Sequence, residues 1–241
     1  MPTPFVFNPF EDPTRRDPFP SYARGRELRV HRHPGLPVVS VFGYADIVDV
    51  LRDWRSWSNR FPAPPGFPEL EERTPSMLGT DPPEHDRLRG LVNQAFTPKI
   101  IRRLEPRMTE IANQLLDAAL EKREVDLVQA LTYPLPVTII AEIIGVPTED
   151  NARFKDWSDK LVENLGSGLL APPDLATLER NRRIVAELGE YFSKLVEERR
   201  RSPREDLLTG LAQAELEGSK LDFDELLQML ILLLVAGNET T

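Results

Sequence analysis

The stretch Leu226–Ala236 constrains this chain most: it is apolar at every position except Gln228. It follows Asp222-Phe223-Asp224-Glu225, where an acidic cap and a glutamate three residues on can satisfy each other's backbone N–H groups, a capping box. A helix from there to Thr241 would hold roughly 20 residues and measure about 30 Å. A helix apolar on most faces has to sit at the centre of a fold, with other elements packed around it. The apolar run itself falls far short of the ~20 residues that a bilayer crossing needs. The helix meets no stop signal before Thr241, and its last carbonyls need a cap, water or more chain. The expectation is a portion of a larger helical fold, with one side of its core left to be filled.

The rest of the sequence supplies the surrounding helices. The pattern predicts a helix from Pro82 to about Phe96 capped by Asp81, and another opening at Thr97-Pro98 that Pro106 splits. Ile111, Leu115, Leu116, Ala119 and Leu120 form the apolar face of the longer piece, which runs to near Lys122. Leu135–Ile144 is apolar nearly all round and is expected to be buried, with Gly145 and Pro147 ending it. Thr148 is read as the cap of a helix to about Leu165, and Gly166–Pro173 as a link. A long polar-faced helix to about Arg200 follows, then Ser202-Pro203-Arg204-Glu205 as a second capping box. Before residue 81 the reading differs. Residues 1–25 are rich in proline and aromatics. Val30–His33 and Val38–Phe42 read as a hairpin around Pro34-Gly35, and Tyr44–Arg52 as a helix with Ala45, Val48 and Leu51 on one side. Five prolines between Pro62 and Pro75 make 61–80 a long loop, of the kind that often serves as a lid.

Composition excludes several functions. The chain has 241 residues, a net charge of −9 and no cysteine. The acidic balance disfavours nucleic acid or an anionic membrane as partner. Without cysteine the chain holds no disulfide, thiolate metal site or cysteine nucleophile. No secretory leader is apparent at the N-terminus, so the expectation is a cytoplasmic protein that does not enter membranes. His31 and His33 alternate on a strand and point the same way, but no acid or further ligand stands near them in sequence.

Two constellations can carry chemistry. His85 and Arg89 are one helical turn apart on one face, and two cationic donors there can grip a carboxylate or phosphate; in isolation such pairs are mostly solvated surface. Glu239 and Thr240 place an acid beside an alcohol at the end of the apolar helix. Gly237 weakens that helix and allows a close approach to its backbone. Together they could relay protons, although each residue type is common at helix ends.

In this order the pieces resemble the cytochrome P450 family, in its soluble bacterial members. Asp81-Pro82-Pro83-Glu84-His85-Asp86-Arg87-Leu88-Arg89 with Ala95-Phe96-Thr97-Pro98 looks like that family's C-helix. Pro134–Thr138 through Ile144–Pro147 is similar to its E-helix, and Leu233–Thr241 to its oxygen-binding I-helix. The resemblance implies a mainly α fold with a small β-hairpin: the N-terminal part of the P450 fold, without its C-terminal haem-thiolate region. One partial domain over 1–241 is expected, with 1–80 carrying the hairpin and substrate roof and 81–241 the helices. The implied activity is a haem-thiolate monooxygenase hydroxylating a small organic substrate. Its electron donor would be a ferredoxin with an NAD(P)H-dependent reductase.

The resemblance further implies that His85 and Arg89 bind haem propionates and that Ala236 and Gly237 lie against the cofactor. Thr240 would hydrogen-bond dioxygen and Glu239 would help deliver protons. The axial cysteine that this chemistry depends on is absent from the chain, so a truncated, inactive portion that folds poorly alone is expected. The alternative is a non-catalytic helical binding or interaction protein derived from the same fold.

Overall fold

The computed structural model describes residues 5–9, 11–35, 37–60, 76–96, 98–162, 174–216 and 218–239, without the side chains of 99, 100, 216, 238 and 239. These fall into two compact units, one ending at Asn59 and the other beginning at Arg60.

The first unit holds helices α1 (Asp12–Arg16) and α2 (Phe19–Leu28), strands β1 (Val30–Arg32) and β2 (Val39–Val41), and α3 (Tyr44–Arg52). The two strands form the expected antiparallel hairpin, with Val30 opposite Val41 and Arg32 opposite Val39. The two helices before it were not legible as such. His31 and His33 do point the same way, with ring centroids 4.9 Å apart. They belong to an aromatic cluster with Phe5, Phe7 and Phe42. Arg29 pairs with Asp46, tying the end of α2 to α3.

Among its described residues, the regular structure of the second unit is helical apart from one very short hairpin. It comprises α4 (Glu84–Ala95), α5 (Pro98–Leu120), α6 (Pro134–Ile144), α7 (Asn151–Val162), α8 (Leu175–Arg201) and α9 (Leu207–Gln213). Strands β3 (Glu215–Leu216) and β4 (Ser219–Lys220) then lead to α10 (Phe223–Glu239). The apolar helix α10 packs against α6, α7 and α8. Its side chains at Leu226, Leu227, Met229, Leu230 and Leu234 are buried with Ile140, Ile144, Phe154, Trp157, Leu188 and Phe192 in one continuous core. Burial fades toward its C-terminal turns, where Ile231, Leu232, Leu233 and Val235 are only half-buried.

Several boundaries differ from the sequence reading, each for a physical reason. Asp81 does not cap α4 with its side chain; Pro83 holds the cap position, and the first bonds are backbone ones from His85 and Arg87 to Asp81 and Pro83. Pro106 does not split α5, which runs through it. Proline removes one donor, and the carbonyl one turn back belongs to exposed Arg102, where water can replace the lost bond. Thr148 begins a single 3₁₀ turn before α7 instead of capping a helix. The cap of α9 is Asp206, not Ser202: its carboxylate accepts from the backbone N–H of Thr209 at 2.8 Å. A π-helical turn at Val128–Thr132 before α6 was not anticipated. The capping box of α10 is present as read, with Glu225 N–H donating to Asp222 at 2.8 Å and Asp222 N–H donating to Glu225 at 3.0 Å. Of the loop read at 61–80, residues 61–75 lie outside the described residues, while Met77–Gly79 form a 3₁₀ turn; the link at 166–173 lies outside them too.

One buried junction ties three of these helices together. Gly145 closes α6 in a left-handed conformation, φ 91°. Its carbonyl accepts at 2.9 Å from Arg199, which is 1% exposed at the end of α8. The same guanidinium donates to Asp206, the α9 cap.

Candidate functional site

Helix α4 presents three different flanks, which its sequence dictates. Successive residues turn by about 100°, so His85 and Arg89 lie within about 40° of each other, while Arg87 lies about 160° away from Arg89. Between those flanks runs the buried stripe of Leu88, Leu91, Val92 and Ala95. The stripe fixes which side faces the core, and the two cationic flanks diverge from it.

On the first flank, His85 is partly exposed, and its Nδ1 lies 3.3 Å from the Asp86 carboxylate. Arg89 is exposed and has no ion-pair or hydrogen-bond partner among the described residues. A guanidinium left with its whole donor fork free, one turn from an imidazole, is suited to an incoming carboxylate. On the other flank Arg87 is fully engaged. It donates to Glu84, to Glu225 of α10 and, at 3.1 Å, to the Ser219 hydroxyl. The hydrogen bonds from Arg87 hold the Glu84 carboxylate below its ordinary range and push the guanidinium above its own.

Gly237 sits where α10 crosses α6. A Cβ built there would stand 3.1 Å from the Cβ of Ile140. The close approach that a glycine allows is therefore made by a neighbouring helix. Ala236, one residue earlier, is exposed. Of the proton-relay pair, Glu239 ends α10 with its side chain outside the described residues, and Thr240 lies wholly outside them. Among the described residues there is no cluster of three or more metal-ligating side chains, and no helix long and apolar enough to cross a membrane.

Comparison with known proteins decides the family. The sequence model of cytochrome P450 matches residues 28–241. This chain belongs to the cytochrome P450 family. It is 40% identical over 226 residues to cytochrome P450 109 of Bacillus spizizenii, covering 93% of this chain and 53% of that protein. It is 39% identical over 236 residues to the cytochrome P450 monooxygenase PikC of Streptomyces venezuelae, again covering 93% and 53%. Among solved structures, CYP109Q5 from Chondromyces apiculatus superposes with a TM-score of 0.81 at 38% identity, covering 95% of this chain and 56% of that one. CYP109E1 from Bacillus megaterium in complex with testosterone gives 0.74 at 35% identity, covering 97% and 56%. The chain thus spans about half the length of the P450 relatives it matches. The mainly helical fold with its small hairpin is the N-terminal part of the P450 fold. The family implies a haem cofactor and monooxygenase chemistry.

The sequence reading missed Arg87. Its signal was present as a Glu-x-x-Arg spacing at 84–87, but nothing local announces that Glu225, 138 residues away, completes the site.

Proposed function

We propose that this chain is the dioxygen-side, helical portion of a haem-thiolate monooxygenase that hydroxylates a small organic molecule using O2 and two electrons. The observation that supports this best is Arg89, exposed and without a partner among the described residues, beside His85 on a helix of a family that implies haem. A propionate carboxylate is the group such a pair fits: two donors, both cationic when the imidazole is protonated, and open to solvent. His85 and Arg89 would hold the propionates. Haem, when bound, supplies the redox chemistry by which this family uses dioxygen.

The chain's own residues would do the rest on that side. Ala236, exposed near the end of α10, offers a small side chain where the cofactor would lie. Gly237 lets α10 seat closely on α6, which fixes the height of that segment. Thr240 would hold a proton donor at dioxygen, and Glu239 would pass protons toward it from solvent. The absence of cysteine from all 241 residues means that the thiolate has to come from elsewhere, so this chain by itself is not expected to hydroxylate anything. Electrons would come from a ferredoxin-type protein and its NAD(P)H-dependent reductase, in the cytoplasm. Because a relative has been solved with testosterone and with corticosterone, steroids are the first compounds to test.

The same lack of cysteine favours one other reading, a non-catalytic helical binding protein on the P450 fold. Titration with haemin, followed at the Soret band, separates the two. Saturable binding that weakens about tenfold or more in Arg89→Ala is expected, since a charge-assisted hydrogen bond is worth about 1.5–3 kcal/mol, and the dimethyl ester of haemin should bind as weakly to the parent. Equal binding by the parent and Arg89→Ala removes the propionate role. A complete lack of haemin binding by a folded chain favours the non-catalytic reading.

A further inference from the structure

We infer that Arg87 is a positioning residue: its anchor to Glu225 and Ser219 sets where the His85–Arg89 pair stands relative to α10. The inference rests on the role proposed for that pair.

Three observations carry it. Among the described residues, the contact of Arg87 with Glu225 is the one polar contact between α4 and α10. Glu225 is not a passing surface acid; its side chain is 13% exposed, and its other oxygen closes the α10 capping box by accepting from Asp222 N–H. One carboxylate therefore starts α10 and holds α4. Finally, α4 is clipped to the β3–β4 hairpin at both ends, by Arg87 to Ser219 at 3.1 Å and by Gln94 to the Glu215 carbonyl at 2.9 Å.

The hydrophobic stripe of α4 fixes which side faces the core, but apolar side chains still tolerate a small residual roll about the helix axis. A guanidinium with fixed fork geometry does not. Arg87 lies on the opposite flank from Arg89, so any roll of α4 that lengthens the Glu225 contact swings Arg89 in the opposite sense. The geometry of the His85–Arg89 pair is thus controlled from behind, by a residue that never touches what the pair binds.

The chain has no native cysteine, which makes a direct distance measurement clean. Spin labels attached through Arg89→Cys and Ala236→Cys report the separation of the two functional segments by pulsed electron–electron double resonance. A narrow distribution is expected in the parent. In Arg87→Met it should broaden and shift by about 1–2 Å, the scale of helix shifts at packed interfaces, and Arg87→Lys, which keeps the charge but not the fork, should restore it only in part. Glu225→Gln keeps the capping acceptor but weakens the ion pair. It should give a smaller change in the same direction, and it decides the question if Arg87→Met does not fold by circular dichroism. Distributions in Arg87→Met, or in Glu225→Gln, that superpose on the parent overturn the inference. Haemin binding that depends on Arg89 would leave the propionate reading standing in that case. Haemin binding indifferent to Arg89 would remove that reading whatever the labels report.

Discussion

At the scale of single residues, the exposed Arg89 contrasts with cations that are fully committed. Arg199 is enclosed and committed to Asp206 and the Gly145 carbonyl. Removing a buried charged partner leaves the other group desolvated and unpaired, which costs far more than the net worth of the pair. Arg199→Met is therefore expected to lower unfolding stability by about 3–5 kcal/mol, read from denaturant midpoints. Gly237 poses the opposite problem. Alanine there gains about 1 kcal/mol of helix propensity, but its methyl would press on Ile140 at 3.1 Å, and overpacking costs about 1–3 kcal/mol. The overpacking is expected to win. Gly237→Ala should be destabilising alone and close to neutral, or better, in an Ile140→Ala background, and a double-mutant cycle measures that coupling.

At the scale of elements, caps and ion pairs decide where helices begin and how they respond to acid. Asp222→Ala removes the α10 capping acceptor and is expected to cost about 1 kcal/mol. The Glu84–Arg87 pair in the first turn of α4 carries a pH dependence of definite sign. Glu84 titrates below its ordinary value because Arg87 hydrogen-bonds its charged form, so its contribution is complete above the ordinary carboxylate range. That contribution is lost as pH falls through the lowered value. Amide exchange in the first turns of α4 should therefore accelerate at acid pH in the parent and much less so in Arg87→Met.

The same scale shows what could be read in the sequence. The hairpin, α3, α6 with its glycine stop and the capping box of α10 were legible, because each is written in contiguous residues. Asp206 was passed over in favour of Ser202 because both have capping chemistry; tertiary contact with Arg199 selects between them. Pro106 misled because its local penalty is small on an exposed flank. Of the site, His85 and Arg89 were visible as a spacing, whereas Arg87 gains its meaning from a partner far along the chain.

At the scale of the whole molecule, apolar surface remains outside the core. Ile101, Met108, Leu116 and Leu120 are exposed along α5, as are Val125, Leu127 and Val128 after it. Contiguous apolar surface favours association. Sedimentation of the purified chain is expected to show concentration-dependent oligomers, and a cooperative, monomeric unfolding transition would contradict this.

Gly145 tolerates no side chain. Its backbone is left-handed, and a methyl placed there would collide with the Asp206 carboxylate. Conformation and space thus forbid a side chain independently, and the carbonyl is already claimed by Arg199. No single exchange at any of the three positions is conservative. A random-mutagenesis screen for heat-sensitive alleles is expected to return them repeatedly, with second-site revertants seldom arising outside that trio.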